Sequence, residues 1–333
     1  MATIAYVVHG HGRGHAGRAQ GAVAALRAAG HEVHVLAGED ACSLLPDATA
    51  VSSVVPGRGV LRRTWSEARG RQRIFQAISA TLVITDGDAP AALAARRLGL
   101  PAIAMGHGLL FRYCRVRPND VRGRLAKAYE GVSAGGAACF SERQIVVNFA
   151  PAVPLRSSVR VARPILSPLP KDAPQRRPFV LAYFGDGRCR ADVLRVLAST
   201  DREVVYFGSE PPGVAGSIEW RRPNREDFRR HLAACDGVVA SAGSQLIAEC
   251  ILAEKPLLAV YHRRATEQRL NAWLYGSQRL GVACSADELR AMHVRDALAF
   301  RRARHALSAI QELPSVNDAV CDAVEELTVR QAA

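Results

Sequence analysis

The sequence predicts an α/β protein made of two doubly wound domains in tandem. Three observations carry that expectation. Short apolar runs alternate with helical segments along nearly the whole chain. The first forty residues form one complete βαβ unit. The stretch RPILSPLPKDAPQRRP, residues 163–178, holds five prolines and interrupts the alternation once. The domains are therefore expected at 1–165 and 166–333, with the last helix free to pack back on the first domain.

The elements follow in order. Thr3–Val8, TIAYVV, is a strand running into the glycine-rich loop HGHGRGHAGR. A helix from about Ala16 to Ala29 stops at Gly30, and HEVHVLAG is the second strand. This pattern demands a parallel sheet with right-handed crossovers. Thr81–Thr85, the helix APAALAARRLGL and the strand PAIAMGHG continue it. After the prolines, PFVLAYFG is a strand, a helix follows near Ala191–Ala198, and REVVYFG is another strand. DGVVASAGS leads into the helix QLIAECILAEKP, then LLAVY is a strand and EQRLNAWLYGSQRLG a loop entering a helix. Ligands of open α/β sheets bind beyond the carboxyl ends of the strands, so the site is expected in a cleft between the domains, with the proline stretch as hinge.

Composition narrows the function classes. The 333 residues are 49% hydrophobic, and no apolar run reaches the length of a membrane span. No secretory signal precedes the first strand, which points to a cytoplasmic protein. The eight cysteines are scattered without a CxxC pair, which suits buried thiols and not a zinc or disulfide framework. Net charge is +13, and residues 1–165 hold 21 Lys and Arg against 10 Asp and Glu, leaving 23 against 21 for the rest. The basic first half favours an anionic partner: a nucleotide, or the face of an anionic membrane touched peripherally. The basic loop Arg112–Lys127 is the place for an acceptor or membrane contact. Aromatics make up 6% and do not interleave with the arginines, so specific nucleic-acid binding is not expected.

The opening loop admits several chemistries. Gly12, Gly14 and Gly17 satisfy GxGxxG, and Glu39 or Asp40 stands where a dinucleotide fold places its ribose acid, which keeps a nicotinamide enzyme as an alternative. His15, at the start of the helix, is the candidate general base, since the helix dipole favours the neutral imidazole. Gly12 and Gly14 would make room for substrate. TDGD places Asp86 and Asp88 at a strand end on the same rim. Asp86 is the candidate orienter of His15, as an aspartate fixes a histidine tautomer. Asp88 is a candidate substrate contact, and Asp86-Gly87-Asp88 also reads as a metal-holding DxD. His107 follows a strand and either reaches the acceptor or packs.

The second half carries the stronger pattern. SAGSQLIAE, residues 241–249, is a small-residue turn opening a helix. Ser241, Gly243 and Ser244 leave backbone N–H groups for a diphosphate. Glu249, further along, could accept both hydroxyls of a ribose. Glu267 and Gln268, an acid beside an amide, suit the hydroxyls of a sugar ring. Gly185, in FGDGR, offers a second phosphate-facing loop.

GHGRGHAGR, LVITDGD and SAGSQLIAECILAEKPLLAVY…EQRLNA together make the chain resemble the inverting GT-B glycosyltransferases. That group includes the UDP-glycosyltransferases and the MurG peptidoglycan N-acetylglucosaminyltransferase, and the likeness is closest to prokaryotic members that begin GHGRGH. The resemblance implies two Rossmann-like domains facing a central cleft, the first binding acceptor and the second donor. It implies His15 as base with Asp86, or else Asp88, as partner, Gly243 and its neighbours on the diphosphate, Glu249 on the ribose, and Glu267 with Gln268 on the transferred sugar. Ser241 and Gln245 depart from the plant-type members, which carry His and Asn there. No resident cofactor or metal is implied; a nucleoside-diphosphate sugar, UDP- or dTDP-linked, would be co-substrate, with a hydroxyl or amine of a small molecule or lipid as acceptor. A nucleotide-sugar epimerase of the same fold and a non-catalytic polyanion or membrane-surface binder are the other readings.

Overall fold

The structure, a computed structural model, describes residues 1–10, 13–55, 57–165, 169–170, 172, 178–184, 189–211, 213, 218–301 and 304–332. The chain divides into two compact units, Met1–Arg117 with Ala128–Ile165 and Gln311–Ala333, and Pro118–Lys127 with Leu166–Ile310. Two segments lie across the 165/166 line. Residues 118–127 belong with the second unit, and the chain's end belongs with the first. Most of the proline stretch expected as a hinge lies outside the described residues.

The first unit runs β1 (Thr3–Val8), α1 (Arg13–Ala28), β2 (Glu32–Ala37), α2 (Glu39–Leu44), β3 (Thr49–Ala50), α3 (Val60–Ala77), β4 (Leu82–Asp86), α4 (Ala89–Leu98), β5 (Ala102–Gly106), α5 (Leu110–Tyr113), α6 (Val121–Ala138), β6 (Arg143–Val147) and β7 (Val159–Ala162). The sheet order is β3-β2-β1-β4-β5-β6-β7, with parallel pairing throughout. Side chains alternate across β1, so Ile4, Tyr6 and Val8 enter one core with α1, while Ala5 and Val7 enter another with Ala68, Phe75 and Ala91 of α3 and α4. Covered on both faces, the strand is apolar from Ile4 to Val8, as buried parallel strands are.

The second unit runs β8 (Phe179–Tyr183), α7 (Arg190–Ala198), β9 (Glu203–Phe207), β10 (Ile218–Arg221), α8 (Arg225–Ala234), β11 (Gly237–Ser241), α9 (Ser244–Leu252), β12 (Leu257–Tyr261), α10 (Thr266–Ser277), β13 (Val282–Ser285), α11 (Ala291–Ala299) and, at its end, α12 (Arg304–Gln311). Its parallel sheet is ordered β10-β9-β8-β11-β12-β13. The final helix, α13 (Val316–Ala332), returns to the first unit. Val316, Ala319, Val320, Ala323, Val324 and Leu327 form its buried stripe at helical spacing. Gly21 lets α1 approach closely, since a Cβ there would sit 3.2 Å from Ile165 Cδ1 and 3.3 Å from Asn317 Oδ1. Arg143 and Arg160 both pair with Glu326.

The stretch 112–127 is not the single loop expected. Leu110–Tyr113 is helical, and α6 begins at Val121, where Gly123 N donates to Asp120 Oδ1 at 2.7 Å. Four glycines in α6 dilute its helical signal. Among the described residues no helix is long and apolar enough to cross a membrane.

Candidate active site

In the first sheet the strand order reverses between β1 and β4, so whatever follows these two strands meets at their carboxyl ends. β1 feeds the loop and α1, which carries His15 in its first turn; Asp86 is the last residue of β4 and pairs in register with Val8. His9 N donates to Asp86 O at 3.0 Å and holds the loop to the strand end. His15 Nδ1 lies 2.7 Å from Asp86 Oδ1. The imidazole is 27% exposed while Asp86 is fully buried, so the ring reaches solvent and its orienter does not. With Nδ1 as the donor to this carboxylate, Nε2 is the ring nitrogen left to accept a proton.

Two further residues complete the arrangement, and sequence reasoning assigned a role to neither. Gly87 has φ +80°, and a Cβ there would stand 3.2 Å from His15 Cε1. A glycine between the two aspartates is what allows the imidazole to approach. Arg18, one turn beyond His15, donates from Nε to Asp86 Oδ2 at 2.8 Å and from Nη2 to Oδ1 at 2.7 Å, with Nη2 also 2.8 Å from His15 Nδ1. Burial pushes the Asp86 carboxyl up, but Arg18 and His15 more than offset that and hold it at about 2. The signal for Arg18 was its i+3 spacing from His15, which puts both on one helix face.

Asp88, expected as a substrate contact, is turned into the protein. Its side chain is fully buried, caps α4 by accepting from Ala91 N at 2.8 Å, and pairs with the buried Arg71 at 3.1 Å. The two carboxylates of Asp86-Gly87-Asp88 serve different partners, Asp86 meeting His15 and Arg18 and Asp88 meeting Ala91 N and Arg71. Among the described residues no three His, Cys, Asp or Glu converge as a metal-holding group. His107 is buried at 6% exposure, with Nδ1 3.1 Å from Val147 O and its ring packed against Phe111 and Phe149. Gly14 has open space around it, with nothing within 4 Å of an added Cβ; Gly12 lies outside the described residues. Glu39 does not stand ready for a ribose. Its Oε1 accepts from Ser53 N at 2.9 Å and its Oε2 sits where a Cβ on Gly10 would fall, so it braces the loop.

In the second sheet the order reverses between β8 and β11. Gly185, after β8, lies outside the described residues. After β11, the buried Ser241 ends the strand and Gly243 caps α9 in an extended conformation, with no side chain capping the helix. A Cβ on Gly243 would meet only Ser241 O, at 3.9 Å, so the approach to the amides of Ser244 and its successors is open. Such a helix start suits a diphosphate. Half-buried Glu249, in the same helix, accepts from Gln245 Nε2 at 3.1 Å, and burial pushes its carboxyl up. Glu267 is exposed and Gln268 half-buried, both within the first turn of α10 and not in a loop before it. Buried Asn271 donates from Nδ2 to Ala242 O at 3.0 Å, tying α10 to the turn that opens α9. The two stretches singled out in sequence are thus one construction.

Residues 59–300 match the family described as glycosyl transferase family 1. That segment is more than half of the chain. The chain belongs to glycosyl transferase family 1. No curated protein matches it in sequence. Among solved structures, this glycosyltransferase is similar to the calicheamicin glycosyltransferase CalG4, at 18% identity, TM-score 0.72 and full coverage of both chains. It is also similar to Acinetobacter baumannii MurG, at 16% identity and TM-score 0.66, over 97% of this chain and 99% of that one. VinC, solved in complex with dTDP, matches at 20% identity and TM-score 0.67, over 97% and 98%. These likenesses establish a GT-B fold for the glycosyltransferase. Asp86 and the α9 and α10 residues lie inside the matched segment, whereas His15 precedes it, so the case for His15 is its contact with Asp86.

Proposed function

We propose that this glycosyltransferase transfers a sugar with inversion from a nucleoside-diphosphate sugar, UDP- or dTDP-linked, to a hydroxyl or amine of a small-molecule or lipid acceptor. The observation that carries the reading is the 2.7 Å contact between His15 and Asp86 at the switch point of the first sheet. His15 Nε2 takes the acceptor's O–H or N–H proton while the acceptor oxygen or nitrogen bonds to the anomeric carbon. The bond from that carbon to the β-phosphate oxygen breaks on the opposite side, and its electron pair leaves with the nucleoside diphosphate. One displacement of this kind inverts the anomeric configuration.

Donor binding falls to the second unit. The uncapped start of α9 meets the diphosphate, with Ser241 and Ser244 adding hydroxyl donors. Glu249 takes the ribose through the oxygen that Gln245 leaves open, and Glu267 and Gln268 take the transferred sugar. The amides at α9 stabilise the leaving diphosphate, a task that elsewhere falls to a divalent cation, so the transfer is proposed to be metal-independent. The dTDP in VinC supports a thymidine or uridine nucleotide. The basic first half of the chain favours an anionic acceptor or the cytoplasmic face of an anionic membrane.

Calorimetric titration of UDP, dTDP, GDP, NAD and NADP, with and without magnesium, tests the proposal. Binding of UDP or dTDP without metal supports it and names the donor class. Binding of NAD or NADP alone overturns it.

A further inference from the structure

We propose that Arg18 is a positioning residue that keeps His15 unprotonated between turnovers, by fixing Asp86 through a two-point contact and holding a permanent cation against His15 Nδ1. The name of base for His15 rests on the reading above; the effect of Arg18 on the imidazole does not. Arg18 Nη2, Asp86 Oδ1 and His15 Nδ1 form a triangle with sides of 2.7, 2.7 and 2.8 Å. The Nε contact to Asp86 Oδ2, at 2.8 Å, makes the grip on the carboxylate bidentate, and the guanidinium is only 8% exposed.

Electrostatics decides what the triangle does. A carboxylate touching an imidazole would by itself favour the imidazolium, since an adjacent negative charge stabilises the charged ring. A histidine held in that state accepts no proton. Arg18 carries a full positive charge at every working pH and lies as close to Nδ1 as Asp86 does. It cancels the carboxylate and repels a second cation, while leaving Oδ1 as an acceptor that fixes the ring. The pair keeps its orientation and loses its tendency to trap the proton. His9 and Tyr6 also face this site. His9, at the end of β1, meets the His15 ring edge-on with centroids 5.9 Å apart. Tyr6, also from β1, donates its hydroxyl to Met105 Sδ at 3.0 Å, and burial together with the charge on Asp86 pushes its phenol up, so it stays neutral.

The test is a pH titration of the histidine ring nitrogens by long-range 15N–1H correlation NMR, with the His15→Gln protein identifying the signal. Arg18→Gln keeps an amide donor toward Asp86 and removes the charge. Arg18→Lys keeps the charge and loses the two-point contact. In Arg18→Gln the titration midpoint of His15 is expected to rise by about one unit or more above wild type. In Arg18→Lys it is expected to stay near wild type. An unchanged or lowered midpoint in Arg18→Gln overturns the proposal. Should that variant not fold, a rise of a full unit in Arg18→Lys overturns it instead. Release of UDP from UDP-glucose, or of dTDP from dTDP-glucose, with water as acceptor gives a second readout: the acid limb of the rate profile moves up with the midpoint in Arg18→Gln. If the midpoint moves and calorimetry shows NAD or NADP alone binding to the wild type, Arg18 keeps its role and the transferase mechanism falls. If nucleotide is released and the midpoint does not move, the reverse holds.

Discussion

Replacing Asp86 by asparagine removes one buried charge and changes little in volume, which makes its cost calculable. The carboxyl sits at about 2 in the folded protein, against an ordinary value of 3.8. At about 1.4 kcal/mol per unit, its ionisation contributes about 2 kcal/mol to folding. Because the folded value is depressed, that contribution is fully present above about pH 4 and is lost as the pH falls through about 2. The asparagine side chain does not titrate, so the variant lacks this pH dependence. It also takes the Asp86 carboxylate away from the buried Arg18, at a further cost that brings the total near pH 7 to about 3–5 kcal/mol. Urea-dependent hydrogen exchange, read on peptides covering β1 and β4, reports the first unit by itself. The stability gap between wild type and Asp86→Asn should narrow by about 2 kcal/mol between pH 5 and pH 2. A gap that stays constant over that range would refute the reasoning, because it would mean the carboxyl is not held down by its neighbours.

Other substitutions separate the roles of the remaining residues. His15→Ala should cut transfer at least about a hundredfold while nucleoside diphosphate affinity by calorimetry stays at the wild-type value; lost affinity would assign the opening loop to the donor. Gly87→Ala should cost about 1–2 kcal/mol in the left-handed region and push the imidazole away, so transfer falls at unchanged donor affinity; full activity would contradict the tight approach at that glycine. Glu249→Ala should weaken UDP or dTDP binding about tenfold, the worth of a hydrogen bond to a charged group, and equal affinity would remove it from the ribose. Asp88→Asn should lower the melting temperature by taking one carboxylate of the pair Glu67 and Asp88 from the buried Arg71, which keeps Glu67 at 2.9 Å, with nucleotide affinity unaltered; a specific loss of binding would place Asp88 in the ligand site.

Much of this glycosyltransferase was legible in one dimension because the relevant signals are local. A strand buried on both faces is apolar along most of its length, so β1, β4, β11 and β12 stand out as TIAYVV, LVITD, GVVAS and LLAVY. His15 and the small residues 241–244 were recognisable because a turn from strand to helix needs small residues at fixed places. The helices α3 and α6 were not legible, since arginines in one and glycines in the other hide the apolar stripe that packing alone brings out. Asp86 and Asp88 were indistinguishable by spacing. The left-handed turn at Gly87 separates them, and only the fold shows Arg18 meeting one and Arg71 the other. The return of α13 to the first unit and the strut from Asn271 to Ala242 join residues far apart in sequence. The sequence by itself determined which residue types stand at the strand ends. The tertiary structure decided which of them touch, because charge pairing and burial depend on distance through space and not along the chain.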